Sequence, residues 1–431
     1  MDLLFERFFD PVGLEAAIEK AVDKDICKAD LVRLCDADEL KRLAVAIYMG
    51  TYEITPPHTA QIPKDDGGVR TVYVNKPVER VVLSRINDLL FELCGDMVHH
   101  ACTSYQKGIG CGKVVKSVVS WLRAAMSSGQ PAYKGDLSKY FDSVPIEYID
   151  EVFDRVEERL GQSCIITILR KYYHLDRYYD SELHQEVTQY QSLKQGCAVA
   201  AFLADVVLYD ADQRISALSA HYVRYSDDFL IIGEQADEGM RIMEEELAKR
   251  GMKLNPKKLE KLNQYTYFKF LGFSLRGNDI SLSSTRIKKF QKGVTDALWP
   301  ISKTTGRREY ARLTLEQAVG RVHRFLYGSG SRFCWATLVL PVISVKHDVD
   351  RLNGYAMDAI RAAVTGHREI GGLGYSGRMQ GGCICRGRGR HVKANKAKMA
   401  HIPGYIPLGA AQGAMHTNMA AYYSLVSNPD E

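Results

Sequence analysis

The chain has 431 residues, 46% of them hydrophobic and 25% charged, which excludes a disordered polymer and leaves room for two or three domains around sizeable cores. Its N-terminus, MDLLFERFFDPVG, has an acid at position 2 and no long apolar core, and no stretch approaches a membrane span, so a cytoplasmic protein with no membrane partner is expected. The net charge of +5 is uneven: residues 371–431 hold seven Lys or Arg against two acids, while the other 370 residues hold 50 of each sign, a pattern that points to nucleic acid as the first candidate partner.

In chain order, LEAAIEKAVDK and ELKRLAVAIYMG show helical spacing and form a helical entry region over 1–50. From Tyr52 to Val74 short β-like runs flank PKDDGG, a hairpin signal, and ERVVLSRINDLLFELCGDM returns to helix. AYKGDLSKYFDSVPIEYIDEVFDRV reads as a strand ending near Asp136, a turn, and a helix from about Ile146. QGCAVAAFLADVVLYDADQRISAL is expected to be one long apolar helix opened by a Gly. A hairpin around Asp227 and Asp228 follows, then the amphipathic helix of DEGMRIMEEELAKRGMKLNPKK, the short strands of YFKFLGFSLRGNDISLS, and mainly helix from Thr285 to about Thr365. The centre is therefore α+β, a small antiparallel sheet backed by helices. The Gly-rich run from Gly366 to Gly389 reads as a linker.

Ten cysteines lie scattered between Cys27 and Cys385 without a regular framework, and they read as reduced thiols in apolar roles. Cys383, Cys385 and His391 form an incomplete zinc pattern with no clear fourth ligand.

Two adjacent carboxylates between apolar strand-like runs, HYVRY and DFLII, need a reason. Turn chemistry alone accounts for many such pairs, because Asp side chains bond the local backbone. A second reading is metal binding. Nucleotide polymerisation is an in-line displacement served by two divalent ions about 4 Å apart, and magnesium is held by one or two carboxylates plus substrate phosphates. Asp136 ends a predicted strand, and Asp227 and Asp228 sit on a hairpin that can pair beside it.

KGDLSKYFDSV, KQGCAVAAFLADVVL, VRYSDDFLIIG, GMKLNPKKLE and FKFLGFSL occur in the order and approximate spacing of the palm motifs of reverse transcriptases. Upstream, GGVRTVYVNKPVERVVL and SYQKGIGCGK resemble the finger motifs of the bacterial, group II intron-like branch. The resemblance runs from about Arg70 to Phe273 and implies a right-hand polymerase: fingers over 51–130, palm over 131–284 with a finger insertion at about 150–190, helical thumb over 285–370, and a basic extension over 371–431. It implies that Asp136, Leu137, Asp227 and Asp228 make the site of two magnesium ions, with manganese a possible substitute, and that the three Asp are catalytic. It places Lys64, Arg70, Gln195, Gly196 and the hairpin residue Tyr225 around the nucleotide, Lys257 or Lys258 at the departing pyrophosphate, and Leu271 and Gly272 in the primer grip. Five residues after the first metal Asp, RNA-dependent RNA polymerases resemble one another in a second Asp that accepts the ribose 2′-OH. Here that position is Phe141, whose ring offers no hydrogen bond and no room, so deoxynucleoside triphosphates are the expected substrates.

Departures narrow the branch. The usual Ser-Pro after Gln-Gly is replaced in QGCAVAAFLA, and GNDISLSS stands where retron enzymes carry Val-Thr-Gly; the VTG at Val364 is too far downstream. The tail is too short for a maturase region and, with two acids after Gly366 apart from Glu369, too poor in carboxylates for a ribonuclease H site. The resemblance is then nearest to bacterial reverse transcriptases of phage defence, the unknown-group and abortive-infection types, some of which copy a dedicated non-coding RNA. An RNA template, in particular a dedicated structured one, and a DNA product are the expected partners. A diversity-generating or retron-type enzyme is the rival within the class, and a non-catalytic RNA-binding scaffold the rival outside it. Arg386, Arg388, Arg390, Lys393 and Lys396, spaced by small residues, are suited to an RNA backbone, and the apolar IPGYIPLGA after them is expected to dock on the body.

Overall fold

The computed structural model describes residues 2–22, 26–64, 68–106, 108–302, 304–328, 334–365, 402 and 404–408. It divides into two compact units, residues 1–109 with 125–262, and residues 110–124 with the chain from 263 onward. In the first unit, short β-branched and aromatic runs supply β1 (His58–Pro63), β2 (Val69–Val74), β3 (Ala132–Asp136), β4 (Arg177–Asp180), β5 (Gln185–Thr188), β6 (His221–Tyr225), β7 (Asp228–Ile232) and β8 (Glu260–Lys261).

These strands make two four-stranded sheets. One has the order β2-β1-β4-β5, with β1 and β2 the expected antiparallel pair and β4 added parallel to β1 at His58 and Tyr179. The other has the order β6-β7-β3-β8 and is antiparallel throughout. Its central strand β7 is apolar at every position after Asp228, and Phe229, Leu230, Ile231 and Ile232 are all buried, as a strand covered on both faces requires. Helix Ala236–Lys249 packs on β7 and β3, and helix Tyr209–Ser216 on β6. Gly135 is needed beside Asp136, because a Cβ there would lie 2.2 Å from the Phe229 ring. The small residue lets that ring lie flat on β3, so the packing of the core and the placement of the carboxylate are coupled.

Helix Pro77–Cys94, opened by Pro at its first position, carries helices Leu3–Phe8 and Pro11–Val22 of the entry region. Asp2 caps the first of these through the Phe5 N–H (3.0 Å) and also accepts the Cys164 N–H (2.8 Å).

The single long helix expected after Gly196 is instead two, Ala200–Val206 and Tyr209–Ser216. A continuous helix would use the carbonyls of Ala204 and Asp205 for the N–H groups of residues 208 and 209. Those carbonyls accept from the Arg224 guanidinium (3.2 and 2.8 Å), and Ala204 also accepts from the Tyr140 hydroxyl (2.6 Å). Distant side chains thus take the bonds that would have continued the helix.

In the second unit, β9 (Phe268–Phe270), β10 (Phe273–Arg276) and β11 (Asp279–Leu282) form an antiparallel sheet in the order β11-β10-β9. Helices Ser284–Leu298, Leu315–Tyr327 and Lys346–Thr365 pack on one another. The segment Tyr405 to Leu408 docks there, with the Tyr405 hydroxyl and the Leu408 N–H on the Asn353 side-chain oxygen (3.0 and 2.9 Å) and the Ile406 N–H on His323 Nε2 (2.9 Å). The described cysteines are free thiols, and no helix among the described residues is long and apolar enough to cross a membrane.

Candidate active site

Register places the carboxylates. Asp136 at the end of β3 is the direct partner of Asp228 at the start of β7, which also pairs with Tyr225 at the end of β6. Asp227 lies in the two-residue turn, and its carbonyl accepts the Leu137 N–H at 3.0 Å. Leu137 is itself buried. The Asp136 carbonyl takes the Asn255 N–H (2.8 Å), while its carboxylate accepts from Asn255 Nδ2 (3.3 Å) and from Lys258 Nζ (2.7 Å).

Two cations therefore serve three acids. Lys258 is 54% exposed at its side chain, whereas Lys134, 3.5 Å from Asp228, is only 7% exposed. Loss of solvent, with repulsion from Asp136 and Asp228, pushes the Asp227 carboxyl up to about 6. Asp228 is also raised, first by desolvation and then by Asp136, with Lys134 acting against the shift. Among the described residues no three His, Cys, Asp or Glu side chains gather closely enough to hold a metal ion as they stand. The donor set nonetheless fits a hard divalent cation: three carboxylates at one sheet end, with Asp227 raised by loss of solvent and by the other two, favour added positive charge.

The turn is held from below. Ser226 is left-handed at φ 58, a conformation that non-glycine residues keep only under restraint. Its N–H donates to Ser104 Oγ (3.0 Å), its carbonyl accepts from Arg224 (3.2 Å), and Ser104 Oγ donates to the buried Asp205. Arg224 makes a bidentate pair with Asp212, both fully buried.

The residues expected around the nucleotide occupy the same unit. Arg70 on β2 pairs in register with Ile62, and Lys64 follows β1. Both act on Asp142: loss of solvent raises that carboxyl, and Lys139, Lys64 and Arg70 oppose the rise. Phe141 packs against the core, with its ring 5.8 Å from that of Tyr140. Its carbonyl accepts the Leu193 N–H (3.2 Å), and the Gln195 carbonyl accepts the Tyr73 N–H (2.7 Å). Gly196 has φ +108, and a Cβ there would stand 2.8 Å from the Tyr73 carbonyl oxygen. Of the two lysines, Lys258 reaches Asp136, while Lys257 is tied through its backbone N–H to Asn255 Oδ1.

Leu271 and Gly272 form the turn between β9 and β10 in the second unit, at φ 49 and 80. The Gly272 carbonyl accepts the Ser283 N–H (3.3 Å). Arg386, Arg388, Arg390, Lys393 and Lys396, like Cys383, Cys385 and His391, lie outside the described residues. Lys134, Asp205, Asp212, Arg224 and Ser104 were not singled out from the sequence. A charged residue inside an apolar strand, as in HYVRY and AYKGD, was the available signal.

A carboxylate trio thus sits on the end of a small antiparallel sheet, with cations and a tight Gly loop in the same unit. Residues 62–275 match the family model for reverse transcriptase (RNA-dependent DNA polymerase). Among solved structures it is similar to telomerase from Candida albicans in complex with a fragment of telomeric RNA, at 12% identity and a TM-score of 0.42, over 74% of this chain and 60% of that one. Apo telomerase from Candida tropicalis is similar at 13% identity and a TM-score of 0.41, over 73% of this chain and 59% of that one. The chain thus spans less than two thirds of those telomerase chains. No curated protein matches the sequence.

Proposed function

We propose that the chain copies RNA into DNA, with Asp136, Asp227 and Asp228 holding two divalent ions, magnesium by preference. The register of Asp136 with Asp228, within a segment that matches the reverse transcriptase family, carries this reading. When bound, the ions supply the positive charge that in-line displacement at the α-phosphate needs. The chain's own residues do the rest. Arg70 and Lys64 meet the triphosphate, Phe141 closes the space a 2′-hydroxyl would need, and Gly196 lets the backbone approach the nucleotide. Lys258, which donates to Asp136, assists the departing pyrophosphate. Leu271 and Gly272 grip the primer.

The test is incorporation of labelled deoxynucleotide on a primed RNA template. Activity with magnesium or manganese that chelation abolishes supports the reading, and none under any of these conditions overturns it.

The finer reading is that the template is a dedicated structured RNA, bound in part by Arg386, Arg388, Arg390, Lys393 and Lys396, and that the product serves bacterial antiphage defence. Its support is the cationic, Gly-rich stretch on an otherwise neutral chain. Sequencing of the RNA that co-purifies, and of DNA made from it, decides the template: one dominant RNA is expected, and a random cellular mixture would refute it. Phage challenge of cells carrying the parent or the Asp227→Ala, Asp228→Ala variant decides the role.

A further inference from the structure

Lys194 precedes Gln195 and Gly196, and its side chain is fully buried at 0% exposure. Its ammonium donates to the Leu175 carbonyl (2.9 Å) and to the side-chain oxygen of Gln191, and lies 5.2 Å from the centroid of the Tyr172 ring. None of these partners carries a negative charge. Burial pushes the ammonium down to about 8, opposed by the more distant Cys197 and Asp176. A methylene chain ending in an apolar group would fill the same space without the desolvation cost of a buried ion. Fold stability alone does not call for a lysine here.

The loop around it is strained. Ser192, Lys194 and Gly196 are all left-handed, at φ 53, 51 and 108, and the two non-glycine residues hold that conformation only because their surroundings dictate it. The backbone on either side of Lys194 also carries the contacts that matter for a nucleotide. Leu193 N–H holds the Phe141 carbonyl (3.2 Å), the Gln195 carbonyl holds the Tyr73 N–H (2.7 Å), and the Cys197 N–H closes back onto the Lys194 carbonyl (2.9 Å). The Tyr172 ring beneath the ammonium is itself fixed, its hydroxyl donating to Asn75 Oδ1 (2.9 Å).

We infer that Lys194 is a positioning residue of the nucleotide site: its buried ammonium, held by Leu175 and Gln191, locks residues 191–197 so that Phe141, Gln195 and Gly196 keep the spacing that selects deoxynucleotides. The anchor holds two elements at once, because the Phe141 and Tyr73 backbones are bonded through the residues on either side of it. This inference rests on the polymerase reading for its consequence, and on geometry alone for the anchor.

The experiment uses the full chain with Lys194→Met, which keeps length and removes charge. Amide exchange reads the anchor without any activity. Protection of Leu193, Cys197 and Tyr73 should fall about 10-fold, as local opening energies allow, while β6 and β7 keep theirs; unchanged protection at those three amides overturns the inference. Kinetics read the consequence. The KM for deoxynucleotide should rise about 10-fold and the preference over ribonucleotide should fall, with kcat changed far less, as expected when a positioning contact is lost. A lower melting temperature with parental KM and preference would mean a purely structural lysine and overturn the inference. If Lys194→Met does not fold, Gln191→Leu removes one acceptor and keeps the cation, and the same readouts decide with smaller shifts. A parent that incorporates nothing overturns the polymerase reading, and amide exchange then decides the anchor by itself.

Discussion

Asp136 and Asp228 face each other as register partners on β3 and β7, with Asp227 one residue back in the turn. Like charges directly opposite on paired strands repel, so this end of the sheet is less stable without added positive charge. Asp227→Asn with Asp228→Asn should lower DNA synthesis by about 10³-fold or more, the scale of several kcal/mol of metal-borne charge stabilisation. The melting temperature without divalent ions should hold or rise. Primer extension and thermal melts check both, and substantial residual synthesis would remove the site assignment.

Phe141→Val should admit ribonucleotides. The ring packs on the core through Tyr140, so part of the cost appears as stability, on the order of 1–3 kcal/mol for a large-to-small change at a half-buried site. The informative readout is the ratio of kcat/KM for deoxy- and ribonucleotide. If that ratio stays parental, Phe141 serves only the core.

Gly196→Ala meets two obstacles, a φ of +108 and a Tyr73 carbonyl oxygen 2.8 Å from the added Cβ. Strain of this kind costs about 1–3 kcal/mol, and here it falls on the loop bonded to Phe141 and Tyr73. Nucleotide KM should rise more than kcat falls. Parental KM in a stable variant would show that the loop relaxes without reaching the nucleotide.

The pH dependence of stability should carry the mark of Asp205. Burial pushes this fully enclosed carboxyl up to about 6, with Arg224 and Ser104 opposing. A folded value above the unfolded one means that the folded state holds the extra proton, so the contribution is complete below about pH 4 and is lost as pH rises through 6. Asp205→Asn, which still accepts from Ser104, should therefore gain on the parent between pH 4 and 7, by up to about 3 kcal/mol. Urea titrations across that range check it; a gap that narrows with rising pH would contradict the assignment.

Arg224 and Asp212 form a fully buried pair whose work is to hold the turn. Arg224→Met alone strands a buried carboxylate and should cost about 3–5 kcal/mol. Adding Asp212→Leu should recover most of that stability. DNA synthesis should stay low in the double variant, because the Ser226 carbonyl has lost its donor. Recovery of both together would make the pair a stability element and nothing more.

The three carboxylates could be singled out because strand-like patterning surrounds Asp136 and Asp227, and the structure sets Asp136 beside Asp228; the Gln-Gly pair and Phe141 were reached only through the resemblance to a family. The β1–β2 hairpin, the helix after it and the β6–β7 hairpin were legible because periodicity is a local property, whereas β4, β5 and β8 were not read from the sequence. Nor was the break near Leu208. It exists because Arg224 and Tyr140 take the Ala204 and Asp205 carbonyls, and no local preference reports a bond donated from another strand. The choice of Lys258 over Lys257 has the same origin, since the two are neighbours in sequence and only one reaches Asp136, 122 positions away. Lys134 and Lys194 were not singled out from the sequence. Tertiary packing decided that they are buried, because desolvation is set by what folds over a side chain from elsewhere in the chain.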